Sequence, residues 1–65
     1  MSTSATHYKL ICDWGYWRRE RLLPTLTGAR RVLKRSLKES EVPPRWAIHA
    51  MRHGRTLEVI AYGAR

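Results

Sequence analysis

Residues 45–62 have the sequence RWAIHAMRHGRTLEVIAY, and this stretch decides the fold. Two largely apolar runs, residues 45–51 and 56–62, flank a polar segment centred on His53-Gly54. A glycine at this place favours a two-residue hairpin turn, because such turns need positive φ angles. The stretch therefore predicts a β-hairpin with one fully apolar face. The predicted pairs on that face are Ala50 with Leu57, Ile48 with Val59 and Trp46 with Ala61.

The opposite face of this hairpin mixes apolar and polar side chains. The same register pairs Met51 with Thr56, His49 with Glu58, Ala47 with Ile60 and Arg45 with Tyr62. Such a mixture is too apolar for a fully solvated face and too polar for a core. It predicts a contact surface for a homodimer or another partner. The alternative is scattered apolar surface, which is normal in soluble proteins.

The chain before the hairpin predicts two strands and a helix. Residues 7–14 alternate in polarity, which predicts a strand. Residues 17–23 fit either a strand or a short helix, and the strand is favoured because Gly15 suits a turn and Pro24 disfavours helical geometry at Leu23. The predicted core side chains of the first strand are Tyr8, Leu10, Cys12 and Trp14.

A helix is predicted over residues 26–39, with Thr25 as its N-cap. Its predicted apolar face consists of Leu26, Ala29, Leu33 and Leu37. The fold class is therefore α+β: a small antiparallel sheet in the order ββαββ, with one amphipathic helix packed on one face. We expect a single domain over residues 7–65 after a disordered N-terminus, residues 1–6.

The length and composition exclude several classes of protein. A chain of 65 residues has a thin core and little room for a deep, dry pocket. The single cysteine, Cys12, excludes an internal disulfide and a cysteine-based zinc site. There is neither a membrane-length apolar run nor a secretory signal at the N-terminus, and a lone thiol fits a reducing cytoplasm, so we expect a cytoplasmic protein.

Positive charge is the strongest bulk signal. The net charge is +8, and residues 18–38 carry +7 of it, as eight basic residues against Glu20. Such a concentration predicts an acidic partner: nucleic acid, an acidic protein surface or anionic lipid. Membrane binding is not expected, because the apolar face of the helix is needed for the core. The predicted binding residues are Arg18, Arg19, Arg21, Arg30, Arg31, Lys34, Arg35 and Lys38. The alternative is an ordinary solvated helix face, although such faces usually mix the two signs of charge.

Catalytic chemistry has little support in the sequence. The predicted hairpin places His49 opposite Glu58, which would orient an imidazole as a general base. The alternative, which we favour, is a plain cross-strand polar pair. The sequence contains no phosphate-binding loop, nucleophile motif or metal-ligand spacing. We therefore expect no catalytic residue, metal or cofactor, and we expect Cys12 to be a small core residue.

Aromatic residues cluster at the first predicted turn. Trp14, Tyr16 and Trp17 lie next to Arg18 and Arg19. Aromatic rings interleaved with arginine suit stacking on unpaired bases or anchoring in a protein partner. The alternative is that one ring, Trp14, fills the core. The secondary contact surface predicted from the turn and the hairpin comprises Tyr16, Trp17, Arg45, His49, Met51 and Tyr62.

The segment of residues 24–33, PTLTGARRVL, follows a predicted strand and precedes a Trp-led hairpin. This arrangement resembles small phage-encoded anti-CRISPR proteins that act on type I systems. The resemblance implies a viral protein that inhibits a CRISPR surveillance complex in the cytoplasm of a bacterial host. The chain departs from that group in its richness in arginine.

Two functions follow as predictions. The first is a non-enzymatic inhibitor that binds nucleic acid, or a complex that handles it, through the basic surface. The second is a protein–protein module that blocks an acidic, nucleic-acid-mimicking or active-site groove of a host enzyme through aromatic and sheet-face contacts.

Overall fold

The computed structural model describes residues 5–63, which form a small α+β fold. A four-stranded antiparallel sheet has the strand order β2-β1-β3-β4, and one helix lies between β2 and β3 in the chain. The predicted order of elements is therefore confirmed. The bounds are β1, His7–Asp13; β2, Arg18–Leu23; α1, Leu26–Glu39; β3, Arg45–Arg52; and β4, Arg55–Gly63.

A tight turn joins β1 to β2. Gly15 has a φ of 94°, and its N–H donates to Asp13 Oδ1 at 2.8 Å. The N–H of Trp14 donates to the carbonyl of Trp17 at 2.9 Å, which closes the turn. Because the chain reverses here, residues 18–23 return along β1, and the predicted strand rather than the helix is confirmed.

The helix begins where its capping residue predicts. Thr25 is extended, and its Oγ1 accepts a hydrogen bond from Gly28 N at 3.0 Å. This bond satisfies one of the backbone donors that the first helical turn leaves without an intrahelical partner. Ala29 and Leu33, one helical turn apart, are the buried residues of α1.

The core joins the sheet to the helix. Ala29 and Leu33 form one cluster with Leu10, Cys12 and Ile48. Leu10 pairs with Ile48 across β1 and β3, so these two strands supply the centre of the cluster. The predicted core side of β1 is thus confirmed. Partly buried side chains pack around it: Tyr8, Trp14, Leu23, Leu26, Val32, Leu37 and Trp46.

The β3–β4 hairpin has the predicted turn but a different register. His53 and Gly54 have φ angles of 53° and 74°, as a tight turn with two positive φ angles requires. Met51 pairs with Thr56 as predicted, and the register then shifts twice, beside Leu57 and beside Ile60. The remaining predicted pairs are therefore wrong. The observed pairs are Ala50 with Glu58, His49 with Val59, Ile48 with Ala61, Ala47 with Tyr62 and Trp46 with Gly63.

Each shift places one extra residue on β4, as a β-bulge does. The extra residues, Leu57 and Ile60, lie on an edge strand, where an unpaired residue does not interrupt a second ladder. The predicted contact between His49 and Glu58 is lost through the first shift.

The predicted disordered segment, residues 1–6, falls largely outside the described residues, as do residues 64 and 65. Within the described part, the N–H of Thr6 donates to the carbonyl of Met51 at 2.9 Å. In residues 5–63, the helix is neither long nor apolar enough to cross a membrane.

Candidate functional site

Four of the eight predicted basic residues line one groove between β2 and α1. Arg19 and Arg21 come from the strand, and Arg31 and Arg35 come from the helix. The groove has a volume of about 380 Å³, and we call it the arginine groove. Its remaining lining residues are Val32, Ser36 and Glu39.

Strand alternation explains why two arginines of β2 point into this groove. Arg19 pairs with Cys12 and Arg21 pairs with Leu10, and both partners belong to the core cluster. Since paired residues on neighbouring strands share a face, these two arginines extend from the core side of the sheet. β2 is an edge strand, so both side chains remain exposed.

The side of the arginine groove opposite β2 is formed by α1. Arg31 and Arg35 are four residues apart, which places them on neighbouring turns of the same helix side. Glu39 follows four residues later and adds the one acidic side chain of the lining. Four arginines against one glutamate give the groove a formal charge of +3.

The other predicted basic residues of the helix lie outside the arginine groove. Lys34 and Lys38 border a shallow depression beside Arg31 and Arg35, so they extend the positive surface along the outer side of α1. Arg30 is exposed and lines neither depression. It lies about 140° around the helix from Arg35, on the opposite flank.

Arg18 is turned away from the groove. It pairs with Asp13 on the face of the sheet opposite the core, as the alternation of β2 requires. Arg18 Nη2 lies 2.9 Å from Glu20 Oε2, and Lys9 Nζ lies 3.5 Å from Glu20 Oε1. Glu20 thus partly neutralises two cations on that face, and Arg18 is separated from Arg19 and Arg21.

An aromatic stack leads out of the arginine groove. The rings of Trp14 and Trp17 are stacked, with centroids 5.2 Å apart and planes 10° from parallel. The guanidinium carbon of Arg19 lies 5.3 Å from the centroid of Trp17. Trp14 is partly buried against the core, whereas Trp17 is 45% exposed and Tyr16 is 85% exposed. The ring that packs against the core is Trp14, as the sequence predicted.

A second concave site lies at the end of this stack. It has a volume of about 330 Å³, and we call it the aromatic pocket. Trp14 Nε1 donates to Ser40 Oγ at 3.3 Å, and Ser40 Oγ donates to the carbonyl of Ser36 at 2.7 Å, which ties the pocket to the helix end. The lining residues are Trp14, Tyr16, Ser40, Glu41 and Val42. Sequence reasoning missed Ser40, Glu41 and Val42, because no periodic pattern marks this connection.

The predicted secondary contact surface is only partly available. Met51 is 3% exposed and accepts a hydrogen bond from Thr56 Oγ1 at its sulfur, so its place on an exposed face is corrected. His49 lies opposite Val59, with its Nδ1 3.4 Å from Thr56 Oγ1. Arg45 is exposed, and Tyr62 is 80% exposed opposite Ala47. Tyr16 and Trp17, which the sequence assigned to the first turn, lie in that turn between β1 and β2.

Cys12 is 1% exposed, which confirms the predicted core position. Burial raises the pKa of its thiol above the ordinary value of 9.0, and the nearby charge of Arg19 opposes this rise. Across residues 5–63, no group of three histidine, cysteine or acidic side chains is placed to hold a metal ion.

Comparison of the chain with protein-family models, with curated proteins and with solved structures found no match.

Proposed function

We propose that this chain is a non-enzymatic binding protein that engages nucleic acid, free or within a host nucleoprotein complex, through the arginine groove. The observation that carries the proposal is the convergence of Arg19 and Arg21 with Arg31 and Arg35 along one cleft. In this proposal the helix covers one face of the sheet, and the groove is the seam between them.

The chemistry of the groove suits phosphate. Each guanidinium is planar, remains charged and donates paired hydrogen bonds that match phosphate oxygens. Neutralising several phosphates also releases condensed counterions, which favours binding at low salt. Lys34 and Lys38 extend the positive surface beyond the groove, so a nucleic acid has further cations along its path.

The test is a fluorescence-anisotropy titration with labelled DNA and RNA at several salt concentrations. The variant is the double substitution Arg31→Gln and Arg35→Gln. The matched control is Arg52→Gln with Arg55→Gln, which removes the same charge at the β3–β4 turn. All four arginines are exposed, so both variants keep the core intact.

We expect the groove variant to bind more weakly and to lower the slope of log K against log salt by about 1.4 to 1.8 for two lost phosphate contacts. We expect the control variant, Arg52→Gln with Arg55→Gln, to bind only slightly more weakly, because it lowers the net charge without removing a contact in the groove. Equal effects from both variants would mean that net charge, and not the groove, drives binding. No binding to any nucleic acid at low salt would overturn the proposal.

A second candidate function is the protein–protein module that blocks an acidic groove of a host enzyme. Its supporting observation is the exposure of large apolar side chains away from the arginine groove, among them Leu22, Val59 and Tyr62. Under this function, Tyr62→Ala would weaken partner binding more than the groove variant does.

A second copy of the chain is a further candidate partner for this surface, and sedimentation would reveal it. The resemblance to anti-CRISPR proteins stays a prediction, which inhibition of a type I surveillance complex would test.

A further inference from the structure

The arginine groove and the aromatic pocket are joined by three stacked groups. Arg19 lines the groove and lies over Trp17, Trp17 stacks on Trp14, and Trp14 lines the pocket. Each step is just over 5 Å, so the two sites adjoin along one surface. A ligand long enough to span the stacked groups can therefore contact both sites at once.

We propose that the aromatic pocket receives an unpaired nucleobase, which makes the ligand of this protein a single-stranded nucleic acid. This inference rests on the proposed function, because the arginine groove holds the phosphates of the same strand. The inference adds a second binding site, in which the aromatic pocket holds a base while the arginine groove holds the neighbouring phosphates. It also narrows the ligand to a single-stranded nucleic acid.

The pocket has the chemistry of a base site and lacks that of a phosphate site. Tyr16 offers an exposed ring on which any base can stack. Glu41 supplies carboxylate oxygens, which accept hydrogen bonds from base amino and ring N–H groups and repel phosphate. Ser40 already donates its hydroxyl hydrogen to Ser36, so it does not provide a phosphate donor.

The accessibility of the bases also favours a single strand. In a duplex, each base is paired and stacked inside the helix, and it reaches a pocket only after it is flipped out at an energetic cost. An unpaired strand presents its bases without that cost. A duplex would therefore engage the arginines alone, whereas a single strand would engage both sites.

The experiment compares three labelled ligands of equal length: a single strand, its duplex, and an abasic strand that keeps every phosphate. Each is titrated in DNA form, and the single strand also in RNA form, against the natural protein and Tyr16→Ala. The matched control is Tyr62→Ala, which removes an equally exposed tyrosine from the sheet face opposite the core.

We expect Tyr16→Ala to weaken binding of the single strand by at least about fivefold. It leaves binding of the duplex and of the abasic strand unchanged, and Tyr62→Ala leaves all three unchanged. If the duplex binds as tightly as the single strand and Tyr16→Ala has no effect, the base site is wrong while the groove proposal stands. If none of the ligands binds, the proposed function itself fails.

Discussion

The indole of Trp46 lies against Gly63, its partner across β3 and β4. A β-carbon added to Gly63 would lie 2.7 Å from Trp46 Nε1 and 2.8 Å from two carbons of the same ring. Such distances are shorter than van der Waals contact, so Gly63→Ala forces the indole to move. Overpacking costs about 1–3 kcal/mol, and the entropy that alanine removes from the unfolded chain offsets part of it. We expect a net loss of about 1–2 kcal/mol in urea unfolding.

A double-mutant cycle checks the cause of that loss. In a Trp46→Leu background the indole is absent, so the added β-carbon meets less resistance and Gly63→Ala costs much less. An equal cost in both backgrounds would show that the glycine is needed for some other reason.

The turn between β3 and β4 offers a stabilising change. His53 has a φ of 53°, which a side chain with a β-carbon adopts at some cost, and asparagine adopts it more readily. Because Asn-Gly is the preferred pair in this turn, we expect His53→Asn to raise the free energy of unfolding by about 0.5 kcal/mol. His53→Val, with a β-branched side chain, would lower it by about 1 kcal/mol. If thermal unfolding showed His53→Val to be more stable than His53→Asn, the explanation from the positive φ angle would be wrong.

Much of the fold could be predicted because its signals are local. The Thr25 cap, the Gly15 turn and the His53-Gly54 turn each depend on a few neighbouring residues. The β4 bulges beside Leu57 and Ile60 could not be predicted. The polarity pattern favoured the predicted register, which kept apolar residues opposite both Ala50 and Ile48, whereas the observed register places Glu58 opposite Ala50. Glu58 is accommodated there because β4 is an edge strand and the side chain is exposed.

The buried thiol of Cys12 predicts a dependence of stability on pH. Burial raises its pKa above the ordinary 9.0, so the folded protein keeps the proton at a pH where the unfolded chain has lost it. The stabilisation that the protonated thiol provides is fully present well below pH 9, and it is lost as the pH rises from the unfolded-state pKa through the folded-state pKa.

The measurement is urea unfolding between pH 8 and about 10.5 for the natural protein and for Cys12→Ser, which has no titrating thiol. Other groups titrate equally in both proteins, so the difference between them isolates Cys12. We expect the natural protein to lose stability relative to the serine variant as the pH rises. A difference that stays constant would contradict a raised thiol pKa.

The candidate site was less predictable than the fold, because it depends on how distant segments meet. The excess of charge in residues 18–38 indicated a basic surface. Alternation along β2 would have separated Arg18 and Glu20 from Arg19 and Arg21, once that segment was taken as a strand. The meeting of Arg19 and Arg21 with Arg31 and Arg35 follows from the placement of α1 against β1 and β2, which no local pattern contains.

The last prediction concerns Trp17 as a positioning residue for Arg19. The guanidinium lies 5.3 Å from the indole centroid, and an exposed contact of this kind contributes about 0.5–1 kcal/mol. An arginine held in place loses less side-chain freedom when it binds a phosphate. We therefore expect Trp17→Leu to weaken binding of an abasic strand, which has no base to stack, by about two- to fivefold.

The control is the same substitution in an Arg19→Gln background. If Trp17 acts by holding Arg19, then Trp17→Leu has no further effect once the guanidinium is gone, and the two changes are not additive. If the effects add, Trp17 contributes to binding independently of Arg19. If Trp17→Leu leaves abasic binding unchanged while it weakens binding of a strand with bases, the indole contacts the bases and does not position the arginine. The abasic strand thus distinguishes the two roles of one side chain in a single titration series.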